Sequence, residues 1–192
     1  MLLIGLGNPG PEYEKTLHNV GFEVTKKMAA FLEINFRKRC FHLYRQAKKT
    51  KDGNFIKIIQ PLTYMNNSGE IFKETSLFVL SRTEKQVVIV CDNMDLDPGM
   101  IRIKRRGKPS THKGLRSIER EIGDLNYIVV YVGIGRPSTG VTVVDHVLSR
   151  PTSENKEILE IGESKAFHAV LDLYQGKTLE EVQFEFNGKK KN

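Results

Sequence analysis

The feature that most constrains the fold is the start of the chain, where an apolar run leads straight into a rigid loop. Residues 2–6 read Leu-Leu-Ile-Gly-Leu, a pattern typical of a buried strand. Glycine, asparagine and proline fill residues 7–11 and restrict the backbone to a tight turn. Tyr13, His18 and Asn19 then precede the next helical pattern. Because α/β proteins often build sites where strands end, we expect functional groups at this position.

Apolar runs that indicate strands alternate along the chain with patterns that indicate helices. Strands are predicted at residues 2–6, 41–47, 55–59, 87–91, 100–104 and 127–133. Helices are predicted at residues 20–32, 69–81, 115–122, 152–174 and 179–184, the second capped by Asn67 or Ser68. This alternation predicts an α/β fold with a mixed twisted sheet flanked by helices, in three α/β/α layers. We expect a single domain over residues 1–186 and a basic tail at residues 187–192.

Composition limits where such a chain works. With 192 residues, 39% of them hydrophobic, it can bury a sizeable core. Its two cysteines, Cys40 and Cys91, indicate reduced thiols rather than a disulfide framework. No apolar run approaches the roughly 18 residues of a membrane span. We therefore expect a cytoplasmic protein with no membrane contact, and our hypothesis is that it is a monomer.

The balance of charge points to an acidic partner. The formal charge is +7 and the sequence pI is about 9.4, which favours a polyanion such as RNA. A soluble enzyme with lysine-rich faces is an equally acceptable reading of the total. Basic residues cluster at residues 37–39, 48–49, 102–108 and 189–191. We expect the group at 102–108 to lie beside the candidate site and the last group to be a solvated tail.

Gly5, Gly7 and Gly10 have the spacing of a dinucleotide-binding loop, but their context disfavours that function. Such a loop leads directly into a helix whose N-terminus meets the pyrophosphate. Here prolines stand where that helix should begin, and the helical pattern starts only about ten residues later. The acidic residue should end a second strand, whereas Glu33 falls near the end of a helix. A dinucleotide enzyme is therefore a distant alternative.

Most familiar catalytic motifs are absent. The chain contains no His-Glu-x-x-His, no paired Cys-x-x-Cys, no phosphate loop and no Gly-x-Ser-x-Gly elbow. Its five histidines are scattered without metal-ligand spacing, so no metal site is indicated. Cys91 follows four aliphatic residues, which favours a buried inert thiol over a nucleophile.

His18 and Asp92 form the most economical candidate pair. A carboxylate at a strand end can hold one imidazole nitrogen and leave the other free to accept a proton. Such a pair can activate water for attack on a carbonyl, and the amide of Asn8, Asn19 or Asn66 can orient the water or stabilise the oxyanion. Taken singly, a histidine here is more often a core or capping residue, and an aspartate more often a turn residue.

Six motifs, in order and at matching spacing, resemble those of the bacterial peptidyl-tRNA hydrolase family. They occupy residues 5–22, 61–69, 92–99, 112–118, 133–137 and 144–148. The resemblance covers nearly the whole chain, and several ordered motifs are far more specific than any one of them. The family cleaves the ester that joins a peptide to the terminal ribose of tRNA, and it implies no metal or organic cofactor.

The resemblance implies roles for residues within these motifs. His18 would be the general base and Asp92 its orienting partner, while Asn8 and Asn66 would engage the ester and the blocked amino end of the peptide. The remaining positions would contact the tRNA end and the peptide. They are Tyr13, Tyr64, Met65, His112 and Lys113.

The chain also departs from the family pattern. Leu17 stands where the family usually has arginine, Cys91 replaces a frequent histidine, and Asn93-Met94 replace an acidic-aliphatic pair. The glycine-rich approach to the fourth motif is replaced by residues 105–111, rich in basic residues, and Lys113 replaces asparagine. An ammonium can hold a phosphate but cannot accept a hydrogen bond. These changes keep open a rival function, an RNA-binding protein that retained the fold with little or no catalysis.

Overall fold

The computed structural model describes residues 1–51, 53–84, 86–106, 110–123 and 126–187. Within these ranges the strands are β1 Leu2–Gly5, β2 Arg37–Lys38, β3 Tyr44–Lys51, β4 Asn54–Pro61, β5 Val87–Asn93, β6 Ile101–Arg105 and β7 Ile128–Gly133. The α-helices are α1 Val20–Phe31, α2 Thr75–Thr83, α3 Lys113–Ile122, α4 Val143–Leu148, α5 Ser153–Tyr174 and α6 Leu179–Phe186. Lys108 and residues 188–192 of the predicted tail lie outside the described residues.

The strands form one mixed sheet in the order β2-β3-β4-β1-β5-β7-β6. β1 is parallel to both of its neighbours, β4 and β5, and β5 is parallel to β7. β3 runs antiparallel to β4, β2 antiparallel to β3, and β6 antiparallel to β7. The carboxyl ends of β1, β4, β5 and β7 therefore meet at one edge of the sheet. The loops that leave these strands begin at that edge.

Helices cover both faces of the sheet, which confirms the predicted three layers. One core lies between the sheet and α1, α5 and α6, and the other lies under α2, α3 and the 3₁₀ segment Met65–Lys73. The residues of β1 alternate between the two cores, with Leu3 in the first and Leu2 and Ile4 in the second, all fully buried. Burying each such aliphatic side chain contributes about 1.5–3 kcal/mol to folding. β1 is therefore the central anchor of the site-bearing edge.

The prediction of a helix at residues 69–81 is wrong for the first half of that range. The chain forms the 3₁₀ segment Met65–Lys73, passes through an extended Glu74, and only then enters α2. Contact with α3 constrains this segment, because a Cβ on Gly69 would lie 2.1 Å from the carbonyl oxygen of Ser117 and the Gly69 N–H donates to the Ser117 hydroxyl at 2.9 Å. Ser68 caps no helix, since its hydroxyl donates to the carbonyl of Met65 within the 3₁₀ segment.

Other strand and helix boundaries shift in ways that affect the site. The strand predicted from Phe41 begins only at Tyr44, because Phe41 adopts a left-handed φ of 65° and is fully exposed. β5 continues through Asn93, so Asp92 lies inside the strand rather than after it. α4 was not predicted as a helix; it begins where the Thr142 hydroxyl accepts from the backbone N–H of Asp145.

The basic residues Arg105 and Arg106, at the end of β6, do not lie beside the predicted site. Arg105 pairs with Ile128 at the first residue of β7, and Arg106 donates its backbone N–H to Tyr127, at the end of the sheet opposite the polar loops. The expectation that this group borders the site is therefore wrong for these two arginines. The cause is the antiparallel course of β6, which carries the chain away from the site edge.

The structure also bears on the dinucleotide alternative and on the tail. The loop after β1 enters two short 3₁₀ turns, Pro11–Tyr13 and Leu17–Asn19, before α1 begins. No helix therefore starts where a pyrophosphate would need one.

Asn187, assigned by the sequence to the tail, exchanges two hydrogen bonds with the backbone of Ile103 in β6. Among the described residues, no helix is both long and apolar enough to cross a bilayer.

Candidate active site

A cavity of about 570 Å³ opens at the edge where the parallel strands end. Every predicted site residue lines it, although these residues come from four separate parts of the chain. They are Asn8, Tyr13, His18, Tyr64, Met65, Asn66, Asp92, His112 and Lys113. The structure thus brings the full predicted set together in one cavity.

His18 and Asp92 are in direct contact at the base of the cavity. The 3₁₀ turn Leu17–Asn19 presents His18 from the loop after β1, and β5 presents Asp92 near its carboxyl end. Nδ1 of the histidine lies 2.7 Å from Oδ1 of the aspartate, a short bond typical of an ionised acceptor. The two residues are 9% and 2% exposed. The bond is therefore shielded from solvent and fixes the orientation of the imidazole ring.

A second histidine, His112, binds the same carboxylate oxygen. Its Nε2 lies 3.0 Å from Oδ1 of Asp92, and its Nδ1 accepts from the backbone N–H of Leu115 at 3.3 Å. Because Nδ1 acts as an acceptor, we assign the proton to Nε2, which donates to Asp92. His112 therefore caps α3 and completes a His-Asp-His chain. Sequence reasoning placed this residue at the tRNA end and missed this contact, for which the sequence carries no specific signal.

The two histidines set the charge of Asp92. Burial by itself would raise the pKa of the Asp92 carboxyl, but electrostatic attraction to His112 and His18 and the hydrogen bonds from both outweigh it and hold that pKa far below its ordinary value. Asp92 is therefore an ionised acceptor throughout the physiological range. The proton of His18 then resides on Nδ1, and its Nε2 lone pair makes no hydrogen bond with any described residue. The site thus contains an oriented and available base.

The side chain of Asn8 is held with its amide nitrogen free. Its Oδ1 accepts from the backbone N–H of Met65 at 2.7 Å, which joins the loop after β1 to the 3₁₀ segment after β4. The backbone of Asn8 is clamped by the side chain of Asn19, through bonds of 2.8 and 3.0 Å. Both polar atoms of the Asn19 side chain therefore position the backbone of Asn8. They are not available to orient water or to stabilise an oxyanion, the roles that the sequence allowed for this residue. Asn8 Nδ2 has no acceptor among the described residues.

The walls of the cavity differ in character. On one side Tyr13 and Tyr64 meet edge to face with ring centroids 6.2 Å apart, and Tyr64 is largely exposed. On another side α4 contributes an apolar wall that sequence reasoning did not assign to the site. Its residues are Val143, Val144, Val147 and Leu148. Lys113 and Asn66 lie exposed at the rim.

The cluster His18, Asp92 and His112 is also the group of potential metal ligands in the described part of the chain, with ligand atoms within 4.8 Å of one another. An ion bound between them would have to displace both hydrogen bonds to Asp92. It would also need a lone pair on His112 Nε2, the atom to which we assign the proton. The donor set therefore fits a hydrogen-bonded chain better than a metal site.

Two residues that depart from the family pattern are buried in the structure. Cys91 is fully buried in β5, and burial raises the pKa of its thiol well above the ordinary value. This confirms the predicted burial of the thiol, and a buried thiol with a raised pKa is a poor nucleophile. Leu17, beside His18, is 7% exposed and packs in the core shared with α1 and α5. Both substitutions are therefore packing residues that leave the His-Asp-His chain intact.

Comparisons with known proteins agree with this geometry. The family model for peptidyl-tRNA hydrolase matches residues 2–192. A peptidyl-tRNA hydrolase of Lactococcus lactis is 32% identical over 97% of this chain and 98% of that protein, and one of Geobacillus thermodenitrificans is 39% identical over 81% and 82%. The crystal structure of the Acinetobacter baumannii peptidyl-tRNA hydrolase has 31% identity and a TM-score of 0.86, and covers 97% of this chain and 94% of that one. The chain therefore belongs to the peptidyl-tRNA hydrolase family.

Proposed function

We propose that the protein hydrolyses the ester bond between a peptide, or an N-blocked aminoacyl group, and the 3′-terminal ribose of tRNA. The observation that carries this proposal is the buried contact between His18 and Asp92, 2.7 Å long, at the base of the cavity. Such a pair serves general-base hydrolysis and contributes about 10²–10⁴-fold to a rate. Membership of the family supports the choice of substrate.

In the proposed reaction, Nε2 of His18 takes a proton from water as the water oxygen attacks the ester carbonyl. Asp92 stays ionised and holds the imidazolium that forms. Asn8 Nδ2 donates to the oxyanion of the tetrahedral intermediate, a role suited to a rigid, unpaired donor. When the carbon–oxygen bond to ribose breaks, the imidazolium returns its proton to the ribose oxygen. The products are a free peptide and a tRNA with an intact 3′ hydroxyl.

The rest of the cavity would bind the two halves of the substrate. Tyr13, Tyr64 and Met65 offer flat and apolar surfaces for the terminal adenosine and the peptide. Asn66 at the rim can bind the blocked amino end of the peptide. Lys113 is the one permanently charged cation among the residues that line the cavity, which suits a contact with a phosphate of the tRNA end.

The structure supports a role for His112 other than the contact with the tRNA end that the sequence implied. Its two ring nitrogens are occupied by Asp92 and by the backbone of Leu115, so it has no free donor for the tRNA. We infer that it acts through Asp92 as a positioning residue. The reaction needs no metal or organic cofactor, because an ester has a good leaving group and one base with an oxyanion donor suffices. The substrate arises in translation, which supports a cytoplasmic site of action, and a monomer contains the complete cavity.

The test is cleavage of N-acetyl-aminoacyl-tRNA by the purified protein. The wild type should release N-acetyl-amino acid, and His18→Ala should lower the single-turnover rate by about 10²–10⁴-fold. His168→Ala is the matched control, since His168 is exposed on α5 and lies outside the cavity. A rate unchanged by His18→Ala would refute the assigned base. Tight tRNA binding with no cleavage by the wild type would instead establish the RNA-binding rival.

A further inference from the structure

We propose that the outer face of α3 is a contact surface for the RNA backbone, which guides the tRNA strand away from the catalytic cavity. We define this cationic ridge as Lys113, Arg116 and Arg120. The inference rests on the proposed function for the identity of the RNA as tRNA. It adds a surface outside the cavity and a direction in which the nucleic acid lies on the protein.

The ridge follows from the spacing of its residues on the helix. Positions three and seven residues apart fall within an arc of about 60° at 3.6 residues per turn. The three side chains are exposed. The opposite face of α3 is buried against the sheet and the 3₁₀ segment, through Gly114, Leu115, Ser117, Ile118 and Ile122. The cations therefore form a straight line about 10 Å long at 1.5 Å per residue.

The charges of the ridge are largely uncompensated. Neither the Lys113 ammonium nor the Arg116 guanidinium has a hydrogen-bond or ion-pair partner among the described residues. Arg120 meets Glu121 at 3.5 Å, but the arginine side chain is 64% exposed, and such pairs contribute little. Glu119 is drawn away from the ridge, because its carboxylate accepts from Tyr127 Oη and from the backbone N–H of Ser110. The ridge therefore presents a net positive line to solvent.

The ridge is continuous with the cavity. Lys113 lines the cavity beside His112, and Arg116 and Arg120 follow it toward the far end of α3. A nucleic acid strand places phosphates about 3.4 Å apart along a duplex axis, so 10 Å of ridge faces roughly three phosphates. Arginine can hold a phosphate through two parallel hydrogen bonds. A strand whose 3′ end enters the cavity would thus meet these cations in succession.

The experiment measures the affinity of deacylated tRNA as a function of salt for Arg116→Gln, Arg120→Gln and the double variant. Each single change should weaken binding about fivefold at low salt and reduce the slope of log affinity against log salt by about 0.7–0.9. The double variant should lose about twice that slope. Lys156→Gln is the matched control, because Lys156 is an exposed cation on α5, across the sheet from α3. Its slope should equal that of the wild type.

A second arm uses the trinucleotide CCA, whose two phosphodiester groups are too few to occupy the cavity entrance and the whole ridge together. The loss of affinity caused by the two arginine changes should be several-fold smaller with CCA than with tRNA. Wild-type slopes in the arginine variants, or equal losses with both ligands, would overturn the proposal. Both arms measure binding, so they test the cationic ridge even if the wild type does not cleave N-acetyl-aminoacyl-tRNA. A lack of cleavage would contradict only the proposed hydrolase function.

Discussion

His18 and His112 share a single acceptor, the Oδ1 atom of Asp92, at 2.7 and 3.0 Å. The centroids of their rings lie 5.3 Å apart, and the ring planes are inclined at 51°. One histidine leaves its second nitrogen to the cavity, and the other uses its second nitrogen to cap α3. The catalytic pair is therefore mechanically tied to the helix that carries the cationic ridge. Because Asp92 binds both histidines, replacing it should affect both of them at once.

We expect Asp92→Asn to keep the shape of the site and lose its chemistry. The carbonyl oxygen of the amide can still accept from both histidines, but the amide has no negative charge to stabilise an imidazolium. The rate of cleavage should fall by about 10³–10⁴-fold with little change in KM. Single-turnover kinetics on N-acetyl-aminoacyl-tRNA would measure this. A loss of less than tenfold would show that Asp92 does not orient the base.

His112 should behave as a positioning residue that acts through Asp92. His112→Leu removes the donor to Asp92 and the cap of Leu115, and we expect kcat to fall about tenfold while KM changes less. His112→Gln retains an N–H donor and should recover a substantial part of the loss. The split between kcat and KM, and the rescue by glutamine, would distinguish this role. A change confined to KM in both variants would indicate direct substrate contact instead.

Asn8 offers a test of the oxyanion donor. Asn8→Asp keeps an oxygen to accept from the backbone N–H of Met65 but replaces the free Nδ2 donor with a second acceptor. Since a carboxylate would repel a developing oxyanion, the rate should fall by about 10²–10³-fold. Thermal unfolding should show a folded protein, because the link to Met65 survives. Near-normal cleavage by the folded variant would remove Asn8 from the mechanism.

Glu163, far from the site, should make stability depend on pH. Burial between α5 and α1 raises the pKa of its carboxyl to about 7, partly offset by Lys27 at 3.5 Å and reinforced by Glu23 and Glu160. A raised folded-state pKa means that the stabilising contribution is complete below the unfolded value near 4.5 and is lost as pH rises through 7.

The change Glu163→Gln should therefore stabilise the protein at pH 8 by about 2–3 kcal/mol and have little effect at pH 4.5 or below. Urea denaturation at several pH values measures the difference. Glu157→Gln is the control, since Glu157 is exposed on the same helix and is not among the groups that act on Glu163. A pH-independent difference for the Glu163 variant would contradict the assigned burial effect.

Much of the fold could be predicted from local patterns in the sequence. The helix α1 was predicted at residues 20–32 and is found at Val20–Phe31, and α5 was predicted one residue early. The buried strands β1 and β5 were likewise identified, because continuous aliphatic runs are restricted to central strands. The nine predicted site residues were named from motifs and all line one cavity.

Several features escaped prediction because they arise between segments. The 3₁₀ segment Met65–Lys73 packs closely against the backbone of α3 at Gly69, a contact that no local pattern in either segment records. The apolar wall of α4 and the displacement of Arg105 from the site both follow from where the chain is routed around the sheet. Such routing is set by the packing of whole elements.

The sequence by itself determined the elements of this protein and the chemical groups at their ends, because periodicity, turn residues and aliphatic runs act over a few neighbouring positions. Only the tertiary structure decided that His18 meets Asp92 across 74 positions of chain, and that His112 joins them. The physical reason is the parallel alignment of β1 and β5, which brings the ends of two distant strands to one edge of the sheet. A shared hydrogen-bond acceptor exists only once that alignment has formed.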